Sequence, residues 1–247
     1  MSKTQWEPKQ YNHVADFVAR LGEPLLELLA PKTSDHVLDV GCGDGKLTEK
    51  LVPLCAHVVG IDASAQMVGA ARQINIDAHV KDAEQLDFNE QFDRIISNAA
   101  LHWMLCPESV IDSIHRALKP RGVFVAEFGG MGNAQSIVDA LTSSLRKRNI
   151  PFDNPWYFPS DAEYKALLEK HGFEVNYIEL FDRLTPLPQH LHDWVLTFGQ
   201  SFLECASEAQ KQAILEEVAA QVAPGLLING QWHVDYVRLR LKAVKRK

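Results

Sequence analysis

Cysteine is scarce in this sequence, with four residues in a chain of 247. They are scattered, they form no CxxC pair, and no histidine-rich run accompanies them. This pattern argues against a disulfide framework and against a structural zinc site, and it is typical of proteins of the reducing cytoplasm. We therefore expect a cytoplasmic protein that holds no metal ion. The cysteines are Cys42, Cys55, Cys106 and Cys205.

Long apolar runs and an excess of positive charge are also missing. No stretch of 18 uncharged apolar residues occurs, so we expect no membrane span, and the first ten residues lack the apolar core of a signal peptide. Lys and Arg number 25 against 32 Asp and Glu, a formal net charge of −7. This balance argues against nucleic acid as the partner, and we interpret the basic KAVKRK end as solvated.

Apolar residues, 46% of the chain, are present in sufficient number for a sizeable core. Short apolar runs alternate with segments of helical periodicity up to residue 130, which predicts a parallel sheet covered on both faces by helices. A helix, an aromatic proline-rich loop, a sixth strand, a mostly helical insertion and a last strand follow. The predicted strands are 36–40, 57–61, 78–81, 94–97, 123–127, 173–180 and 234–244.

The change of rhythm after residue 130 predicts how one α/β domain, residues 1–247, is organised. We expect its core to comprise residues 31–130, 160–184 and 232–247. The remaining segments, 131–159 and 185–231, are predicted to form a helical lid.

A glycine-rich turn, VLDVGCGDG at 37–45, joins the first strand to a helix. Glycines permit the tight bend and let a ligand lie against the backbone. A dinucleotide fingerprint, G-x-G-x-x-G, would need glycine where Lys46 stands, and Asp39 and Asp44 bracket the turn. A pyrophosphate disfavours such carboxylates, whereas the ammonium and sulfonium of S-adenosylmethionine favour them. The turn therefore favours S-adenosylmethionine over NAD.

Acidic residues after the second and third strands are candidates for binding the nucleoside. Asp62 can accept hydrogen bonds from the ribose hydroxyls; the alternative is a surface acid that caps a helix. Asp82 suits the adenine amino group, with the backbone N–H of Ala83 beside it. Met67 either packs on the adenine or fills the core.

Five segments in this order resemble the class I S-adenosylmethionine-dependent methyltransferases: VLDVGCGDG, GIDAS at 60–64, KDAEQLDF at 81–88, FDRIISNAALHW at 92–103 and LKPRGVFVAEF at 118–128. The resemblance implies a Rossmann-like, seven-stranded, mostly parallel sheet with an antiparallel last strand. It also implies that particular residues of these motifs surround the cofactor, with S-adenosylhomocysteine as the product: Asp39, Gly41, Cys42, Gly43, Ala63, Asn98 and Ala99.

The chain is further similar to the small-molecule branch of that family, which includes trans-aconitate methyltransferase. Trp6 and Tyr11 at the N-terminus, the NAALHW segment at 98–103 and the helical lid carry this closer likeness. It implies that Tyr11 closes over the cofactor, the alternative being plain helix packing.

Methyl transfer to a carboxylate needs no general base, whereas transfer to a hydroxyl does. His102 follows the fourth strand and is the candidate base, with a wall of the cofactor pocket as the alternative. We expect Trp103, Trp156 and Tyr157 to line an apolar acceptor cavity, although aromatic residues here can equally form the core of the lid. Arg183, His190 and His192 are candidates for binding an acidic acceptor or belong to a solvated face.

These patterns predict an S-adenosylmethionine-dependent methyltransferase that O-methylates a carboxylate or hydroxyl of a small molecule. The alternatives are an RNA or protein methyltransferase, a non-catalytic S-adenosylmethionine-binding protein, and a dehydrogenase. The tetrad 98–101 lacks the proline common in enzymes that methylate base amino groups. Whether the protein is a monomer or a homodimer stays open.

Overall fold

A mixed eight-stranded sheet forms the centre of the protein. The structure is a computed structural model that describes residues 21–247, so the predicted contacts of Trp6 and Tyr11 fall outside the described residues. The strands are β1 His36–Val40, β2 His57–Asp62, β3 Asp77–Val80, β4 Phe92–Asn98, β5 Leu118–Gly129, β6 Phe173–Pro186, β7 Leu227–Ile228 and β8 Gln231–Lys245.

The strand order is β3-β2-β1-β4-β5-β8-β6, and the short β7 pairs with β8. Neighbours from β3 to β5 pair in parallel, whereas β8 is antiparallel to both β5 and β6. This confirms the Rossmann-like α/β fold with an antiparallel last strand; β7 adds an eighth strand to the seven expected.

Nine α-helices occur among the described residues. Three short 3₁₀ turns lie in the connections between helices and strands: Val52–Leu54, Ala83–Gln85 and Leu101–Trp103. The helices are α1 Glu23–Leu29, α2 Lys46–Leu51, α3 Ala65–Gln73, α4 Pro107–Ala117, α5 Gln135–Lys147, α6 Asp161–Lys170, α7 Leu191–Phe198, α8 Gln200–Leu203 and α9 Glu208–Leu226.

The central strands are buried on both faces, as continuous apolar runs require. Val40 pairs with Ile61, and Asn98 pairs with Glu127. Because these strands are parallel, the carboxyl ends of β1, β2, β4 and β5 meet at one edge of the sheet. Ligands of open α/β sheets bind at this edge.

Two large apolar clusters lie side by side in the fold. One packs α4 and α6 against the sheet around Ile95, Phe124 and Phe128. The other joins α5, α7 and α9 around Trp156 and Trp194. Most of the second cluster comes from 131–159 and 185–231, the segments assigned to the lid by sequence; we keep this division of the single domain as a proposal.

Two strands extend well beyond their predicted bounds, whereas the others differ by a few residues at most. Strand β5 begins at Leu118 rather than at Val123 and so includes residues 119–122. Pairing of Leu118 with Phe92, across a register shift in β4, extends the strand. Strand β6 continues past Leu180 to Pro186 because β8 pairs with it along this whole stretch.

Candidate active site

The glycine turn between β1 and α2 is held against the end of β2. The N–H groups of Gly41 and Cys42 both donate to the carbonyl oxygen of Ile61, at 2.8 and 2.9 Å. Gly41, Gly43 and Gly45 have φ of +77°, +56° and +85°, a region that favours glycine. The turn therefore keeps the left-handed geometry that the sequence pattern predicts.

The carboxylate of Asp62 connects this turn to the start of α3. Its Oδ2 accepts from the N–H of Gly43 at 3.0 Å, and its Oδ1 accepts from the N–H of Ser64 at 2.8 Å. Burial raises the pKa of Asp62, and the two backbone hydrogen bonds oppose that rise. Asp62 thus fixes the turn and lies in the cavity wall described next.

A cavity of about 550 Å³ extends from the glycine turn to the lid. At one end it is bounded by strand ends and the turn, and at the other by lid aromatics and arginines. The structure brings together in its wall most of the residues selected from the sequence. These are Gly41, Gly43, Asp62, Ala63, Met67, Asp82, Ala83, Asn98, Ala99, His102, Trp103 and Trp156.

Three selected residues lie near the cavity without forming its described wall. Asp39 is 2% exposed and accepts a 2.6 Å hydrogen bond from the Thr48 hydroxyl. Cys42 packs in the small apolar cluster behind the turn, and burial raises the pKa of its thiol. Tyr157 turns away and donates its hydroxyl to Glu163 at 2.7 Å. Any effect of these three on a ligand is indirect in this structure.

The space beside the turn suits a bulky ligand laid against bare backbone. A Cβ added at Gly43 would meet no atom within 4 Å, so this glycine faces open space in the cavity. A Cβ at Gly41 would come within 2.2 Å of the Ala100 Cβ, so the backbone at Gly41 has no room for a side chain. With Asp62 and Asp82 in the same wall, this end fits a nucleoside that carries a cationic centre.

His102 is held as a neutral imidazole. The N–H of Gly129 donates to its Nδ1 at 3.3 Å, so we assign the remaining proton to Nε2. Burial first, and the charge of Arg238 second, hold the pKa of His102 well below its ordinary 6.5. An imidazole in this tautomer is a hydrogen-bond donor at Nε2 and has no free lone pair there.

Stacked and tilted aromatic rings form the lid side of the cavity. The ring centroid of Trp156 lies 5.7 Å from Trp103, 5.6 Å from Phe158 and 6.2 Å from Trp194. All four rings line the cavity, and Trp156 and Trp194 also belong to the apolar cluster of the lid. Both interpretations of these aromatics, cavity wall and lid core, therefore hold for the same side chains.

A buried arginine–glutamate cluster closes the far end of the cavity. Glu127, 1% exposed in β5, accepts from Arg183 at 2.5 and 3.1 Å and from Arg240 Nε at 2.8 Å. Burial favours a raised pKa for Glu127, but Arg183 and Arg238 outweigh it, so the pKa is lowered. Sequence analysis included Arg183 but missed Glu127 and Arg238, both of which line the cavity. The alternation of Tyr236, Arg238 and Arg240 with apolar residues along the last strand was the sequence pattern that could have indicated Arg238.

Tyr236 lies beside this cluster in the cavity wall. Its hydroxyl accepts a 2.6 Å hydrogen bond from Trp194 Nε1, and burial raises its pKa to about 12. The phenol is therefore neutral at physiological pH.

Residues 21–247 contain neither a cluster of metal-binding side chains nor a membrane-spanning helix. No group of three or more His, Cys, Asp or Glu residues in this range could hold a metal ion. Within the same range, no helix has both the length and the apolar character that crossing a membrane requires.

Known proteins resemble this chain along its whole length. The family model "Methyltransferase domain" matches residues 38–126. The uncharacterized methyltransferase C70.08c of Schizosaccharomyces pombe is 38% identical over 99% of this chain and 100% of its own. Trans-aconitate 2-methyltransferase of Mycobacterium marinum is 32% identical over 69% of this chain and 68% of its own.

Among solved structures, phosphoethanolamine N-methyltransferase 2 of Haemonchus contortus, in complex with S-adenosyl-L-methionine, has a similar fold. Its TM-score is 0.60 at 18% identity, with 92% of this chain and 53% of that chain covered. The motifs, the fold and these relatives agree on the methyl donor. The chain belongs to the class I S-adenosylmethionine-dependent methyltransferases, in the branch that acts on small molecules.

Proposed function

We propose that this enzyme transfers the methyl group of S-adenosylmethionine to a carboxylate oxygen of a small acidic molecule. The observation that carries the proposal is one cavity whose wall includes both the glycine turn and two arginines, the partly buried Arg183 and the buried Arg238. An acidic acceptor bound by the arginines would have its other end directed toward the cofactor end. The relative from Mycobacterium marinum, named for trans-aconitate, acts on an acid of this kind.

The cofactor end would hold the donor through groups of the turn and the strand ends. In this proposal Asp62 binds the ribose, Asp82 and the N–H of Ala83 bind the adenine, and Met67 packs on its face. Gly41 and Gly43, with Asn98 and Ala99, would surround the methionine part. Each of these residues lines the cavity.

A carboxylate acceptor is favoured over a hydroxyl because the described residues at the acceptor end include no suitable base. His102 has its Nδ1 occupied by Gly129, Glu127 is ionised but engaged by arginines, and Tyr236 is neutral, with a pKa of about 12. A general base works best with a pKa near the operating pH. A carboxylate is already ionised at neutral pH and needs none.

In the transfer step, S-adenosylmethionine supplies a methyl carbon already activated by the sulfonium. A carboxylate oxygen forms the new O–C bond as the C–S bond breaks, and the electron pair of that bond stays on sulfur. The negative and positive charges cancel, so no proton moves. The protein would align the acid and exclude water, effects worth about 7–11 kcal/mol of the barrier.

A screen with labelled donor tests this proposal. Purified protein would be incubated with S-adenosylmethionine carrying a labelled methyl group and with pairs of acids and corresponding primary alcohols, plus total RNA. We expect label in base-labile esters of the acids and none in the alcohols. Transfer to alcohols or only to RNA would overturn carboxylate methylation, and failure to bind S-adenosylhomocysteine in calorimetry would overturn the cofactor site.

A further inference from the structure

Arg238 differs from the other arginines around Glu127 in how its side chain is satisfied. It is 7% exposed, and among the described residues its Nε has no hydrogen-bond partner. The shortest contact to Glu127 is 3.6 Å, beyond hydrogen-bond range. Arg183 and Arg240, by contrast, both donate hydrogen bonds to that carboxylate. A buried donor left in this state costs free energy, so Glu127 compensates Arg238 less well than it compensates the other two arginines.

The charge of the cluster is not balanced among residues 21–247. Three guanidinium groups contact the Glu127 carboxylate, which leaves a formal excess of two positive charges within this set. Arginine keeps its charge in proteins, so the excess persists at neutral pH. Since two of the arginines, Arg183 and Arg238, line the cavity, an anion in the cavity can neutralise it.

The position of Arg238 sets where that anion would lie. Tyr236 and Arg238 are two residues apart on β8, so they share one face of the strand, and the guanidinium lies 5.8 Å from the Tyr236 ring centroid. Both line the cavity, and in the sheet β8 lies three strands from β1, about 14 Å at the usual strand spacing. A group bound at Arg238 is therefore a candidate for one that does not itself receive the methyl group.

We propose that Arg238 binds a second carboxylate of the acceptor, one that is not methylated, so the enzyme selects diacids and stops after one transfer. This inference rests on the proposed function. A monocarboxylic acid would leave Arg238 without an anion in the productive orientation. The half-ester product could present its remaining carboxylate to the donor only by placing an uncharged ester at Arg238, so a second transfer is disfavoured.

Arginine variants separate direct binding from a general loss of charge. Arg238→Gln removes the cavity-lining guanidinium. Arg240→Gln removes an equal charge from the same cluster, but Arg240 is absent from the described cavity wall. Arg238→Lys keeps the charge and loses the planar, bidentate geometry. Each protein would first be checked by thermal melting and by calorimetry with S-adenosylhomocysteine.

The probes are the dicarboxylic acids succinate and adipate, each with its monomethyl ester, in kinetic assays and in calorimetry on protein loaded with S-adenosylhomocysteine. We expect Arg238→Gln to raise the KM and Kd for the diacids by about 10- to 100-fold, the factor for one charge-assisted hydrogen bond. Affinity for S-adenosylhomocysteine should stay unchanged. The KM and Kd of Arg238→Lys should lie between those of the wild type and of Arg238→Gln, and Arg240→Gln should raise them less than Arg238→Gln does. Each diacid should accept one methyl group.

Several outcomes would overturn the inference alone. They are an equal rise of the KM for diacids in Arg238→Gln and Arg240→Gln, a second methyl transfer at a rate similar to the first, or methylation of monocarboxylic acids only. If no carboxylic acid of any kind is methylated while the cofactor product still binds, the proposed function fails and takes this inference with it.

Discussion

Replacement of Asp39 by asparagine is expected to change how S-adenosylmethionine binding depends on pH. Burial raises the pKa of Asp39 to about 7; the hydrogen bond from Thr48 lowers it and the nearby Asp62 raises it further. A cationic donor beside the turn favours the ionised form of this carboxylate. Binding should therefore strengthen as pH rises through 7, and Asp39→Asn should lack this part of the pH dependence.

The size of the change in S-adenosylmethionine affinity follows from the pKa of Asp39. With a value of about 7, about a tenth of the Asp39 side chains are ionised at pH 6 and about nine-tenths at pH 8, an affinity change of about tenfold. The value also lies about three pH units above the ordinary 3.8, so ionising this buried group costs the folded protein on the order of 4 kcal/mol.

The raised pKa of Asp39 also predicts that ionisation of this side chain destabilises the ligand-free protein, although it strengthens binding of the donor. The raised pKa of Asp39 contributes stability at pH below about 4, and this contribution is lost as pH rises through about 7. Asparagine does not ionise and can still accept from Thr48. Asp39→Asn should therefore melt at a higher temperature than the wild type at pH 8 while it binds the donor less tightly.

Isothermal calorimetry of both proteins at half-unit steps from pH 6 to 8 measures the effect. The amino group of S-adenosylmethionine titrates in the same range, but it is common to both titrations and cancels in the ratio of the two affinities. A ratio that stays constant across this range, or an Asp39→Asn protein that is less stable at pH 8, would refute the reasoning.

Three further sets of substitutions have distinct expected results. Asp62→Ala should weaken cofactor binding in calorimetry by about 1–3 kcal/mol through lost hydrogen bonds, with Asp62→Asn intermediate; unchanged affinity would remove Asp62 from the site. Gly43→Ala, into open space but at a φ of +56°, should impair cofactor binding and lower the melting temperature less than Gly41→Ala, where a Cβ would also clash; a larger loss of melting temperature in Gly43→Ala would contradict the turn geometry. Trp194→Phe and Tyr236→Phe should each lower stability to urea by about 0.5–1.5 kcal/mol, and the double variant should cost less than their sum because one hydrogen bond joins them.

The fold was predictable because its signals are local. Strands β1, β2 and β4 are short and largely buried runs, and helix caps follow from residue type: Ser64 and Ser160 accept from the N–H groups of Met67 and Glu163 as N-cap residues do. The start of β5 at Leu118 was missed because it depends on the pairing of Leu118 with Phe92 of β4, with residues 119–122 in the register shift that follows. Turn chemistry alone contains no information about that partner strand.

For His102, residue type and position in the sequence were not sufficient to predict the chemical role of the side chain. Its place after β4 made it the candidate base, and it does line the cavity. Its protonation depends on the N–H of Gly129, 27 residues away, and on the depth of burial. Neither is visible in the sequence, so the structure assigns it a donor rather than a basic character.

The sequence by itself determined the cofactor end. The turn around Gly43 comes directly after β1, and Asp62 and Asp82 lie at or just after the ends of β2 and β3. Parallel strands bring their carboxyl ends to one edge of the sheet, so the position in the sequence is enough to place these residues together. Only the tertiary structure decided the acceptor end, where Glu127 meets Arg183, 56 residues away, and Arg240, 113 residues away. Alternation along the last strand shows that its arginines share a face. Which face it is depends on the register of that strand between β5 and β6, which long-range pairing sets.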